Sequence, residues 1–158
     1  MFSGFNNQYG GEYAHFTNPK RLRFVLGDNL LEDTQGNLTE ATSNIAHSPI
    51  IGWAFDGNPI YGPYGYTDPT NQSSNIRRLE PSYRLKTELV FEAQTNPTPV
   101  RTGGPLLSVD PAGTFTDDYE YTFGEGDLDR YNGRFGKTPE FPEGTYAYFV
   151  SIDASEAG

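Results

Sequence analysis

The chain has 158 residues, a formal net charge of −10 and no cysteine. That length suits one domain with a real core, and the missing cysteines exclude a disulfide framework, thiol catalysis and cysteine-ligated zinc. The acidic balance, broken only by short basic clusters at residues 20–23 and 77–78, speaks against nucleic acid as a partner. Aromatics at 15% argue for an ordered, tyrosine-rich core, and 18 Gly with 12 Pro make turns dense. No apolar stretch approaches the ~20 residues of a membrane span. Residues 1–20 lack the charged start and apolar core of a signal peptide.

Taken in chain order, residues 1–12 read as an irregular entry. Residues 13–16 and 22–26 read as strands, with the basic side chains of 20–23 as solvated flanks. Gly27-Asp28-Asn29 reads as a turn. Residues 32–46 are polar, with Gly36-Asn37 at the tip of a loop or short hairpin; a helical turn over 39–45 is the alternative. The most constrained stretch is 47–66, His-Ser-Pro-Ile-Ile-Gly-Trp-Ala-Phe-Asp-Gly-Asn-Pro-Ile-Tyr-Gly-Pro-Tyr-Gly-Tyr. Pro49, Pro59 and Pro63 rule out a helix there. The pattern predicts a strand over 50–55, a turn at Asp56-Gly57-Asn58-Pro59 and a tightly folded second limb.

Beyond it, 68–75 reads as a polar loop and 76–79 as a connector. Residues 82–86 and 88–92 alternate as half-buried strands do, 95–105 is loop, and 106–109 suits an edge strand. Residues 119–123 alternate again, 124–136 is a Gly- and Asp-rich turn region, and 145–153 alternates cleanly. That last run puts Tyr146, Tyr148 and Val150 on one face and Ala147, Phe149 and Ser151 on the other. Gly11-Glu-Tyr-Ala-His-Phe16 is echoed by Gly144-Thr-Tyr-Ala-Tyr-Phe149, which suggests equivalent strands. Short strands and frequent turns predict an all-β fold, an irregular antiparallel sandwich or barrel that is loop-rich with little helix. No linker divides the chain, so residues 1–158 read as one domain. Its end, just after its best strand, suits a piece of a longer polypeptide.

Four chemistries compete for the polar residues. His15 and His47 together with a carboxylate such as Asp56 would suit a transition metal as a facial triad; the plainer reading is that His47 caps or pins the turn into the following strand. Asp127, Asp129 and Asn132 on one turn offer hard oxygens to calcium, or bond their own backbone as such residues do in turns. Hydrolysis finds no support: there is no nucleophile elbow, no phosphate loop and no carboxylate pair marked by spacing, so the chain reads as no enzyme. Trp53, Tyr61, Tyr64 and Tyr66 are candidates for a sugar-binding platform, with burial in the core as the competing reading.

The run from His47 to Tyr66, together with Gly126-Asp-Leu-Asp-x-x-Asn-Gly-Arg-Phe135 and Thr138-Pro-Glu-Phe-Pro-x-Gly-Thr-Tyr-Ala-Tyr-Phe149, resembles the YHYH domain family. The likeness runs from about residue 11 to residue 153. The family's Tyr-His-Tyr-His element falls at Tyr13-Ala14-His15-Phe16, where Ala14 and Phe16 stand in the histidine positions. Family members often carry cysteines near the Asn-Gly-Arg-Phe turn; Tyr131 and Gly136 flank it here. The version in tailed-phage virion proteins, notably marine ones, is the nearest match. This implies a structural or adhesive part of a tail, baseplate or fibre, in the virion and hence extracellular. Its partners would be other virion proteins and a host-surface glycan, in an oligomeric assembly without membrane or nucleic-acid contact. The alternatives are a secreted bacterial domain holding calcium or a transition metal, and a carbohydrate-binding module.

Overall fold

The computed structural model describes residues 18–86 and 109–154. The strands expected at 13–16 and 88–92, the echo beginning at Gly11, and all but the last residue of the edge strand expected at 106–109 lie outside those residues. Two compact units are present, Met1–Glu80 with Tyr131–Gly158, and Pro81–Arg130. The second is an excursion that leaves and re-enters the first, so no linker in the composition marks it.

In the first unit the chain opens on α1 (Lys20–Val25), where a strand was expected. The alternation Leu22, Phe24, Leu26 is real, but Pro19 stands where a helix starts and Gly27 where one stops. Gly27 has φ +80°. Its N–H bonds to Phe24 O at 3.0 Å, and Asp28 N–H to Arg23 O at 2.9 Å, the paired closure of a Schellman motif. The buried residue of this helix is Arg23, so the basic cluster is only in part a solvated flank.

The hairpin β1 (Leu30–Glu32) and β2 (Leu38–Glu40) follows. Its tip is fixed by Asp33, whose Oδ1 accepts from the N–H groups of Gln35 and Asn37. Then comes the constrained run. β3 (Ile50–Trp53) and β4 (Pro59–Tyr61) pair antiparallel with a bulge between Ile50 and Gly52. The turn forms where Asp56-Gly57 predicts it: Gly57 has φ +85° and Asp56 Oδ1 accepts from Asn58 N–H at 3.0 Å. The expected connector at 76–79 is instead strand β6 (Ile76–Arg78), paired with β5 (Tyr64–Tyr66).

β10 (Thr145–Phe149) completes the main sheet. It lies parallel to β4, and antiparallel to β9 (Gly133–Gly136), which forms inside the expected turn region. The sheet order is β3-β4-β10-β9. Register sorts its side chains. Tyr61, Phe149, Ala147 and Arg134 point to the inner face; Gly52, Ile60, Tyr148, Tyr146, Phe135 and Gly133 point to the outer one. Ala147, Phe149 and Tyr61 are buried with Tyr64, Tyr66, Leu79 and Ile152 as the core.

In the second unit β7 (Tyr83–Leu85) pairs with β8 (Tyr119–Tyr121), and Tyr83 meets Tyr121 with ring centroids 5.6 Å apart. Buried Ser82 and Asp118 tie its loops: Ser82 Oγ donates to Leu128 O, and Asp118 Oδ2 accepts from Gly113 and Phe115 N–H. The fold is all-β and loop-rich as expected, and among the described residues no sheet closes into a barrel.

Candidate functional site

Two places in the first unit bring the singled-out residues together, one on each side of the main sheet. Inside, His47 sits against Tyr61, Tyr66 and Phe149, with ring centroids 5.1, 4.9 and 6.2 Å away. Its Nδ1 is 2.8 Å from Ser48 O. Tyr61 stacks on Phe149 at 5.5 Å, and its hydroxyl lies 2.8 Å from both Thr138 Oγ1 and Glu140 Oε2. Arg134 covers Phe149 at 5.5 Å and donates to Tyr66 O at 2.6 Å. Burial, above all, holds the His47 pKa below its ordinary value, against the pull of the Ser48 carbonyl and Glu140. Burial likewise raises the Tyr61 and Tyr66 hydroxyls, with Glu140 adding to it. These phenols stay protonated, so they act as donors and core, not as nucleophiles.

The depressed His47 pKa makes a prediction. A group that resists protonation in the fold gives stability that is full above its unfolded pKa of about 6.5 and is lost as pH falls from there. Urea midpoints are expected to drop between pH 7 and pH 5, with a slope of at most about 1.4 kcal/mol per pH unit from this group. The His47→Gln chain, compared at the same pH values, should lose that component; equal slopes would refute it.

At the end of the sheet, the β3–β4 turn carries Trp53 at 60% exposure and a fully exposed Phe55. Asp56 Oδ2 accepts from the Tyr148 hydroxyl at 2.6 Å. That hydroxyl first, and then the Asn58 N–H, hold the Asp56 carboxyl below its ordinary range, so it stays an acceptor. Behind the turn, the outer face continues through Ile60, Tyr148, Tyr146 and Phe135. Tyr146 and Tyr148 meet edge-on at 5.2 Å.

The sheet therefore separates two residues that spacing had joined. His47 belongs with Phe149 on the inner side and Asp56 with Tyr148 on the outer, successive residues of one strand that point opposite ways. A metal site shared by His47 and Asp56 is not built. Asp127 and Asp129 are half-buried in the second unit, while Asn132 belongs to the first. Asn132 has φ +56°, its carbonyl accepts from Phe149 N–H at 2.9 Å, and its Oδ1 is buried with no partner among the described residues. Among the described residues no three His, Cys, Asp or Glu side chains gather as metal ligands.

Of the four aromatics proposed as a sugar platform, only Trp53 is at the surface. Tyr61, Tyr64 and Tyr66 are buried, because the turns around Gly62 and Pro63 fold the second limb under the sheet. Phe55 and Tyr148 were missed as site residues. The outward parity of Tyr148 in the alternating strand was a usable signal for it; Phe55 had none beyond its place beside the turn.

A second buried feature was not foreseen. Arg23 bonds Asp28 Oδ2 through Nε at 2.6 Å and both Glu40 oxygens at 2.7 and 2.8 Å. Asn18, Ser48 and Tyr64 complete the network at 2.7, 2.7 and 3.1 Å. Burial opposes the Arg23 charge, and the two carboxylates outweigh it, so its pKa is raised. Every oxygen here is occupied by Arg23 or its helpers, which suits a structural tie between α1, β2 and the constrained run.

No curated protein and no solved structure matches the chain. The sequence profile of the family described as YHYH protein matches residues 3–156, from before α1 to beyond the last strand. With nearly its whole length inside that profile, this chain belongs to the YHYH family.

Proposed function

We propose that the chain is a non-enzymatic structural and adhesive domain of a tailed-phage virion protein, and that its outward aromatic turn contacts host-surface glycan. The observation that carries the reading is the exposure of Trp53 and Phe55 on a turn held by backbone bonds. Exposed large aromatics on a rigid hairpin supply contact area with little ordering cost. Sugar rings offer apolar C–H faces to such rings and hydroxyl donors to a carboxylate such as Asp56. The phage setting is supported by the sequence of the constrained run and by the acidic, cysteine-free composition.

The test is binding of the full chain to cell-surface polysaccharides and lipopolysaccharides of candidate hosts, by array and then calorimetry. Trp53→Ala is expected to weaken binding about tenfold or more, the usual cost of truncating an aromatic anchor, and to leave Tm unchanged because the side chain is exposed. Undiminished binding by the Trp53→Ala/Phe55→Ala chain would remove the turn from the contact. Absence of the protein from purified virions by mass spectrometry would remove the virion role.

A further inference from the structure

Register sends Ile60, Tyr148, Tyr146 and Phe135 to one face of the main sheet, with Gly52 and Gly133 among them. None of these side chains is charged, on a chain whose net charge is −10. Gly133 makes room for Tyr146. A Cβ there would run into the Tyr146 hydroxyl, with the ring carbons Cζ at 2.5 Å and Cε1 at 2.9 Å, so the Tyr146 ring leans over the bare backbone of β9. Tyr148 reaches instead to the β3–β4 turn, where its hydroxyl donates to Asp56 Oδ2 at 2.6 Å. The two rings meet at 89° with centroids 5.2 Å apart. Both residues are half-buried, so part of each faces solvent. Phe135, opposite Tyr146 in the ladder, is exposed beside them.

Asp56 sets the chemistry of this corner. Its Oδ1 accepts from Asn58 N–H and its Oδ2 from Tyr148, and an ionised carboxylate offers about four lone-pair sites. Acceptor positions therefore remain for donors from outside, on a residue that is exposed. The same two bonds favour its ionised form. What fits is a partner with apolar C–H surface for the rings, hydroxyl donors for the carboxylate and no negative charge of its own. The negative face of an aromatic ring attracts weakly positive C–H groups. A hydroxyl donating to an ionised acceptor makes a bond about twice as strong as a neutral one. A uronate, sulfate or phosphate would meet the Asp56 charge instead, and no side chain of this face offers a cation to offset it. We propose that the Tyr146–Tyr148 corner and Asp56 bind one uncharged pyranose unit of a neutral polysaccharide and disfavour acidic ones. This rests on the glycan reading above and narrows it to a class of sugar, which exposure of the turn alone does not do.

The experiment titrates the full chain by calorimetry with mannan, galactan and a β-glucan, and separately with alginate, hyaluronan and chondroitin sulfate. At least one neutral polymer is expected to bind about tenfold or more tighter than any acidic one, and to do so unchanged by added sodium chloride. Asp56→Asn keeps an oxygen for the Asn58 N–H but loses the charge, so it should weaken the neutral polymer and narrow the gap to the acidic ones. Tyr146→Leu should weaken the neutral polymer about tenfold or more, with near-ultraviolet circular dichroism showing that the fold is kept. An acidic polymer bound as tightly as a neutral one overturns the sugar class and leaves the glycan reading standing. Binding at wild-type strength in the Asp56→Asn chain, or in a folded Tyr146→Leu chain, takes the site off this corner. Failure to bind any polysaccharide overturns both readings together. Sedimentation that shows the chain pairing, with pairing lost in Tyr146→Leu, overturns it in favour of a second copy as the occupant.

Discussion

Replacing Arg23 with Leu is expected to lower the unfolding free energy by about 3–5 kcal/mol, the range for removing one member of a buried ion network. Arg23 is wholly buried, as are the side chains of its two ion-pair partners Asp28 and Glu40. Among the described residues the guanidinium is the cation paired with both: Nε serves Asp28 and the Nη pair serves Glu40. Taking it away leaves two carboxylates out of water, with Asn18, Ser48, Asn29 and Tyr64 as the remaining donors among the described residues. The deficit should shrink at low pH. Buried carboxylates without a counterion bind protons more readily in the fold than in the unfolded chain, so the variant gains relative stability as pH falls. Adding Asp28→Asn and Glu40→Gln to Arg23→Leu should recover most of the loss, because the stranded charges are then gone. Urea titrations of the three chains decide it. A wild-type midpoint for Arg23→Leu alone would show that the network contributes nothing.

The same network explains where the sequence was legible and where it was not. The β3–β4 turn was readable because Asp56-Gly57 carries its own conformational reason, and the closing strand because Ala147 and Phe149 alternate with Tyr146 and Tyr148. Both are local signals. α1 was misread because three apolar residues at spacing two look like a strand, and six residues are too few to display a helical period. Its stop signal at Gly27 reads equally as a turn, since a helix end and a turn both use glycine for positive φ. Arg23 could not be placed inside, since its partners lie 5 and 17 residues away and nothing in composition links a basic residue to particular distant acids. β6 and β9 were lost for the related reason that their pairing partners, not their own patterns, make them strands. The metal reading failed for Asp56 on geometry alone: nine residues from His47, it is on the far side of a sheet formed with a strand ninety residues away.

Gly62→Ala is expected to cost about 1–3 kcal/mol, and toward the upper end, as overpacking of a fixed interior does. The reason is space and not backbone conformation. Gly62 is absent from the positive-φ glycines, yet a Cβ there would run into Asp28 Oδ2, with Ser48 Oγ at 2.7 Å and Ser48 Cβ at 2.9 Å. Neither neighbour can give way freely. Asp28 is held by Arg23, and Ser48 bridges Asp28 to the Tyr64 N–H. One methyl group would therefore push on the ion network at Asp28 and Ser48. Gly57, in the same run, makes the contrast. Nothing lies within 4 Å of its Cβ position, and only its φ of +85° resists substitution, so Gly57→Ala should cost about 1–2 kcal/mol. The two costs have different signatures. Gly57→Asn should recover most of the Gly57→Ala loss, because Asn tolerates left-handed backbone, whereas Gly62→Asn should be worse than Gly62→Ala because it is larger. A Gly62→Ala chain as stable as wild type would mean that the constrained run does not press against the buried ions. Its tight spacing would then need another cause.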